Sequence, residues 1–460
     1  MIKYNKEAYQ LIHDGILALS RVEQQGICVD LDYIKKEKDK ITEEIKKLEN
    51  EIYDSNFFKV WEKSSKTKTV NIYSGQQLSR YLYKIKGIRI KKETETGQGS
   101  TDEETLRKLN IPELDMFLRI KKLKKIRDTY LKSLERECSD GYIHPFFNLH
   151  NVRSFRSSSS APNFQNIPVR DEESMNIVRG AIYPRPGHQL LELDYNQLEV
   201  RIAASICKDK NLIRDVTDGD MHRDMAIEIF RVDKFDSTIE GHSKLRKAAK
   251  NGFVFPQFYG DYYKNCAEHL ACTWGELSKS KWVSGQGIKM NGVHLSDHLI
   301  KQGIKSYVSF ENHIKNIEFD FWNKRYNDYY RWRETIWNRY QHKGYVSSKT
   351  GFVFRDLMKK NDVTNYPIQS SAFHCLLWSL IEGVKAQNRE HWDTKIIGQI
   401  HDSIVLDVNS SELQMVLNVM NCIMCNDVRQ HWDWIIVPLE IEAEISPIGC
   451  SWAEKKPYKF

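Results

Sequence analysis

The chain has 460 residues, enough for two or three subdomains rather than one core. Charged residues make up 28% of it, mean hydropathy is −0.58, and no apolar run approaches the roughly 20 residues of a helical membrane span, which leaves out that class. A net charge of +7 admits a polyanionic partner without demanding one, and nine scattered cysteines behind no secretory signal point away from a disulfide framework and toward a cytoplasmic setting.

Residues 1–140 read as mostly helical. ITEEIKKLENEI (41–52) sets Ile41, Ile45, Leu48 and Ile52 on one stripe, the pattern of a long exposed helix. GQGSTDEETLRKL (97–109) predicts a loop and a helix start, with Thr101 and Glu104 in capping-box spacing. FLRIKKLKKIRDTYLKS (117–133) interleaves apolar residues with Arg119, Lys121, Lys122, Lys124, Lys125, Arg127 and Lys132. It is either a solvated amphipathic helix or one that packs on one side and faces phosphates on the other. From about 145 the texture changes to polar loops, aromatics and strand candidates at 189–194, 344–355, 395–408 and 436–445. A helical, aromatic-rich block fills about 206–343. Cys422 and Cys425 form a CxxC without a second ligand pair, so buried helix positions are expected rather than zinc, and the same holds for Cys266, His269 and Cys272. The fold class is mixed α/β, a sheet-bearing core with helical lobes before it and inserted into it.

Three stretches carry chemistry. In QLLELDYNQLEVRIAASI (189–206), Leu191 and Leu193 alternate as in a strand, and Asp194 falls where a helical period starts at Leu198. KIIGQIHDSIVLDV (395–408) reads as a β-hairpin with Asp402 at or near its turn. Either aspartate alone is more often structural. Two carboxylates on adjacent strands of one sheet, however, could hold a pair of Mg²⁺ ions about 3.5–4 Å apart, as used for in-line phosphoryl transfer. The third stretch is RKAAKNGFVFPQFYG (246–260). Arg246 and Lys250 share a face suited to a triphosphate, and an aromatic further along could stack on a base.

In this order the stretches resemble family A DNA polymerases. DYNQLEVR (194–201), RKAAKNGFVFPQFYG and QIHDS (399–403) are similar to that family's polymerase motifs A, B and C. RSSSSAPNFQNIPVR (156–170) resembles the RLSSxxPNLQNIP segment ahead of motif A, and NYPIQSSA (365–372) the N-x-P-x-Q-G-x-A segment between motifs B and C. GYVSSKTG (344–351) resembles GYVxTxxGR, and ALSRVEQQGICVD (18–30) the start of the polymerase region.

The resemblance implies a right-hand polymerase fold without an exonuclease domain. Thumb would be residues 1–150 (with an N-terminal helix beside the palm), palm 151–205 and 344–460, and fingers 206–343, including an insertion at about 264–312. It implies addition of dNMPs to a primer 3′-OH, with release of pyrophosphate, by two-metal-ion catalysis with Mg²⁺ (Mn²⁺ able to substitute). Asp194 and Asp402 would be the metal ligands, assisted by the Tyr195 carbonyl. Arg246 and Lys250 would contact the dNTP triphosphate, Lys250 also as proton donor, with Gln197, Glu199, His222, Phe255 and Tyr259 completing the dNTP site. Arg156, Asn163, Gln165, Asn365, Gln369, Gln399 and His401 would contact primer–template DNA. Donors in the minor groove check pair geometry without reading sequence. Partners would be primer–template DNA and dNTPs, with a separate exonuclease, helicase or processivity factor.

Several features depart from the family pattern. Ser403 stands where motif C has Glu, and Asn361 where the family has Arg. The polymerase-like region starts near residue 10, so no proofreading is expected from this chain. The family spaces Arg, Lys, an aromatic and Tyr four residues apart, whereas Lys250 to Phe255 takes five, about 140° out of phase on a regular helix. A π-bulge around Asn251–Phe255 would restore the phase and relieve the clash of Pro256 with the Gly252 carbonyl. Phe253 is the stacking aromatic if no bulge forms. The expected role is replication, in a virus and hence in its host's cytoplasm. Repair or translesion synthesis is the alternative by the same chemistry. A single-subunit RNA polymerase is opposed by Glu199, which matches a steric gate against ribose. An inactive DNA-binding accessory protein is opposed by the joint presence of Asp194, Asp402, Arg246 and Lys250.

Overall fold

A five-stranded antiparallel sheet carries both aspartate stretches, in the order Lys395–Ile400, Ser403–Asn409, His188–Tyr195, Ile441–Ile445, Lys456–Tyr458. The computed structural model describes residues 5–65, 69–90, 92–94, 97–169, 171–236 and 238–460. Arg170, the last residue of the 156–170 stretch, lies outside them. Leu190, Leu191 and Leu193 are buried on the central strand, as are Ile404, Val405 and Leu406 beside it, so the sheet is covered on both faces along most of its length. Asp194 is where the central strand emerges into the open. The helix Lys360–Arg389 packs against this sheet and against Lys6–Gln25, Leu198–Cys207 and Asn327–Lys343.

The N-terminal helices follow the stripe that predicted them. Ile34, Ile41, Ile45 and Ile52 line the buried face of Leu31–Asp54. The basic stretch lies within one helical run, Pro112–Lys124, a π turn Lys125–Leu131 and Lys132–Glu137. Several of its cations have partners within the protein. Arg119 pairs with Glu44 and Glu173, Lys122 with Asp171 and Glu173, and Arg127 with Asp128. Lys124 instead lies over the Tyr73 ring at 3.6 Å.

Three expectations of local structure need correction. The cap near residue 101 is Asp102, whose side chain accepts from the Thr105 amide, because the helix begins at Glu103. Regular pairing in 436–445 is confined to Ile441–Ile445, and in 344–355 to the short strands Val346–Ser347 and Val353–Phe354. Cys422 sits on a π turn as a helical residue but is exposed, so it is not a core position. Stretch 264–312 folds as the helix Tyr263–Glu268, a π turn, the hairpin Lys289–Met290/Val293–His294 and two further helices. It is tied back to the helix Met221–Phe230 by His298 on the Phe230 carbonyl at 2.9 Å. Among the described residues no helix is long and apolar enough to cross a membrane.

Candidate active site

The sheet floor is built by register. Asp194 pairs with Ser403 on one side and with Glu442 on the other, so these three side chains share one face. The hairpin turn is the two residues His401 and Asp402, with His401 at φ 47°, and the Tyr195 amide donates to the Asp402 carbonyl at 3.1 Å. That bond fixes Asp402 beside the end of the central strand. Tyr195 is itself anchored below, its hydroxyl bonded to Ser379 Oγ at 2.9 Å and to the Met424 carbonyl at 2.7 Å.

The floor is short of positive charge. Solvent reaches Asp194, yet its carboxyl is pushed up to about 7, first by the protein crowding it and then by Asp402, Glu192 and Glu442, with Lys455 opposing. Burial also raises Asp402, against Arg156 and His401. Lys455 is already paired with Glu192 and Glu444. Ser403 makes no carboxylate contribution. Its hydroxyl bonds Glu192 Oε1 and the Ile400 carbonyl, each at 3.0 Å.

Opposite stands the helix of the third stretch, and its phase is repaired as expected. His242–Ala249 passes into a π turn, Lys250–Val254, and then into Phe255–Phe258, with the Phe255 amide bonded to the Lys250 carbonyl. The wider turn brings Phe255 back to the Lys250 side, with Lys250 Nζ 5.2 Å from its ring centroid. Phe253 points the other way, fully buried against Phe321 at 5.3 Å. Of the two aromatics, Phe255 is the one that lines the cleft. His222 meets the Phe255 ring edge-on at 5.6 Å. Neither nitrogen of this buried imidazole has a hydrogen-bond partner, and burial, then Lys250 and Arg246, lower its pKa to about 4. It is a neutral ring held beside two cations.

Arg156, Gln197, Glu199, Phe255, Tyr259, Asn365, Gln369, His401 and Asp402 line one cleft between these walls. Glu199 is gripped from two sides, by an ion pair to Arg156 and by the Tyr259 hydroxyl at 3.0 Å. The Asn365 amide reaches the Tyr259 carbonyl at 3.4 Å, and that of Asn361 the Gly260 carbonyl at 3.3 Å. Gly260 has φ +87°, and a Cβ there would meet the Asn361 side chain at 2.4 Å. Asn163 is exposed near the cleft's edge loop, where it accepts from Ser159 Oγ at 3.1 Å. Gln399 differs from expectation. It is 2% exposed, donates to the His401 carbonyl at 2.7 Å and accepts from Gln165 at 2.6 Å. In this conformation it shapes the hairpin turn instead of facing the cleft, and Gln165 is buried with it.

Two residues of the site escaped the sequence reading. Glu442 needed the strand register to be seen opposite Asp194. Asp220, two residues before His222, binds Arg246 Nε at 2.9 Å. Among the described residues no group of three or more His, Cys, Asp or Glu is arranged to hold a metal ion. Asp194 and Asp402, two crowded carboxylates, have the chemistry that suits hard cations, which keep waters and complete their shell on substrate phosphates.

Comparison with known proteins gives concordant relatives. The model of DNA polymerase family A matches residues 31–454. DNA polymerase I of Bacillus subtilis (strain 168) is 26% identical over 448 residues, 96% of this chain and 45% of the relative. That of Caldicellulosiruptor bescii is 28% identical over 453 residues, 96% of this chain and 46% of the relative. The chain thus spans about half the length of these curated relatives. Among solved structures, the POL domain of Pol1 from M. smegmatis, in complex with DNA primer-template and dNTP, superposes with a TM-score of 0.72 at 22% identity. The match covers 96% of this chain and 70% of that one, a likeness of fold.

Proposed function

Because the chain belongs to DNA polymerase family A, we propose that it extends a primer on a DNA template, joining dNMPs to the 3′-OH and releasing pyrophosphate. The observation that supports this reading is one cleft that joins Asp402 of the sheet hairpin to Phe255 and Tyr259 of the helix whose preceding turns carry Arg246 and Lys250. The incoming substrate combines both signs, divalent ion and polyphosphate, and each sign finds its opposite on one wall.

Asp194 and Asp402 would hold two Mg²⁺ ions, for which Mn²⁺ could substitute. When bound, the ions supply Lewis acidity at the attacking hydroxyl and at the leaving oxygen. The chain's own groups do the rest. Arg246 and Lys250 neutralise the triphosphate, and Lys250 delivers a proton to the departing pyrophosphate. Phe255 supplies a flat apolar surface beside the incoming base and sugar. His222, neutral in the free protein, offers its one N–H donor to a phosphate oxygen. Glu199, held by Arg156 and Tyr259, crowds the position of a ribose 2′-OH. Gln197 would belong to the dNTP site, and Arg156, Asn163, Asn365, Gln369 and His401 would contact the primer–template; all of these but Asn163 line the cleft. In this reading the helices before residue 150 serve as thumb, the five-stranded sheet as palm and residues 206–343 as fingers.

The test is primer extension with Mg²⁺ on a primed template, supplying dNTPs or rNTPs. Addition of dNMPs in template order is expected, with rNMPs strongly disfavoured. A folded protein that binds the duplex but adds nothing would sink the proposal.

A further inference from the structure

Asp220 does two jobs with one carboxylate. Its Oδ1 caps the helix Met221–Phe230 by accepting from the Arg223 amide at 2.9 Å. The same group reaches across to Arg246, whose Nε lies 2.9 Å from Oδ2 and 3.2 Å from Oδ1. On the arginine both oxygens meet a single N–H. A guanidinium has five donors, and among the described residues neither terminal nitrogen of Arg246 has a hydrogen-bond partner. Asp220 thus grips the inner edge of the guanidinium and leaves the outer fork open.

Resting on the polymerase reading above, we propose that Asp220 is a positioning residue for the nucleotide: it holds Arg246 so that its free fork meets the triphosphate. The geometry distinguishes this from competition. A carboxylate facing both terminal nitrogens would have to be displaced by phosphate, whereas one on Nε does not occupy the fork. An unheld arginine samples many rotamers, and fixing it before the substrate arrives removes part of the ordering cost of binding. The cap supplies a rigid base for the grip, since the residue that aims Arg246 is fixed to the helix start that also carries His222 against Phe255.

Asp220→Asn tests this, because Asn is as good an N-cap as Asp but carries no charge for Arg246. In single-turnover extension, the apparent Kd for dNTP should rise roughly tenfold while the maximal rate stays within about twofold. In an Arg246→Ala background the same change should do nothing further, since the two side chains act as one unit. Asp220→Ser, which also keeps a capping oxygen, should behave like Asp220→Asn and stands in for it if that variant loses its folded circular-dichroism spectrum. An unchanged Kd, or a lower one, overturns the inference, the lower value showing that Asp220 competes with phosphate. An equal effect with and without Arg246 also overturns it, assigning the loss to the cap. A wild-type protein that extends while Asp220→Asn is indistinguishable from it leaves the polymerase reading standing. A wild-type protein that never extends removes both.

Discussion

The two walls of the cleft are charged oppositely, and each keeps its imbalance for a different reason. On the sheet, Asp194 is hemmed by Asp402, Glu192 and Glu442, and the lysine that could relieve it is committed to Glu192 and Glu444. On the helix, Arg246 and Lys250 have, among the described residues, one carboxylate between them, Asp220, and the imidazole beside them is too deeply buried to share their charge. Contrast the basic run at 112–137, where acids on neighbouring helices neutralise Arg119 and Lys122. A crowded carboxylate and a neutral imidazole held beside two cations are departures of the kind functional sites tend to show.

Removing either floor carboxylate should break the comparison most completely. Asp194→Ala or Asp402→Ala is expected to reduce nucleotide addition by roughly a thousandfold or more, on the scale of losing a transition-state charge stabiliser. Primer–template affinity, measured by gel shift, should stay within about threefold because phosphate contacts elsewhere dominate it. Near-normal turnover would show that the floor does not hold the ions.

The helix wall should respond in a graded way. Lys250→Ala is expected to slow the single-turnover rate by about a hundredfold, the lower range for a general acid, with a smaller change in dNTP affinity. Arg246→Ala should weaken rate and affinity together. If Lys250→Ala alters affinity alone, that lysine is only a phosphate contact.

The π turn makes a sharper distinction between two neighbouring aromatics. Phe255→Tyr places a hydroxyl in the cleft and should raise dideoxynucleotide incorporation at least about tenfold, because a donor there stands in for the missing 3′-OH. Phe253→Tyr instead buries a hydroxyl against Phe321 and should cost about 1–3 kcal/mol of stability without changing sugar selection. The reverse outcome would mean that the helix runs without its wide turn in solution.

The smallest effect concerns stability and pH. Asp194 titrates near 7 when folded and at the ordinary carboxylate value when unfolded, so the folded state binds the extra proton between those limits. The stability this confers is complete below about 4 and is lost as pH rises through 7. Asp194→Asn, always neutral, should therefore melt at a higher temperature than wild type at pH 8 without divalent ions. That gap should shrink toward pH 4, and adding Mg²⁺ at pH 8 should narrow it by stabilising wild type alone. Equal melting temperatures at pH 8 would argue against like-charge crowding on the floor.

Local spacing made much of this legible. The five-residue step from Lys250 to Phe255, set against the four-residue spacing of the resembled family and with Pro256 following, placed the wide turn. The hairpin at Asp402 was legible from apolar runs on either side of His401 and Asp402. What escaped depends on partners remote in sequence. The acids that bind Arg119 lie at 44 and 173, Glu442 meets Asp194 only through strand register, and the burial of Gln399 depends on Gln165 and Ser157 folding over it. Asp102 rather than Thr101 as cap shows the finer limit, since adjacent capping residues compete and the packing of the next helix decides between them.

At the level of the gene, the wide turn at Lys250–Val254 marks a place where length itself is negotiable. Loss of one codon within a regular helix rotates everything downstream by about 100° and scrambles its buried face. Here the surplus residue is already accommodated as a local loop of the backbone spiral. Deleting the codon for Asn251, which is only half-buried, would let Lys250 and the aromatic now at 255 fall four apart on an ordinary spiral. The cleft face on both sides would keep its alignment. Pro256 would still stand four residues after Gly252 and meet its carbonyl on that ordinary spiral, so the motif can lose this residue with Arg246, Lys250, the aromatic at 255 and Tyr259 in line only when the proline is replaced as well.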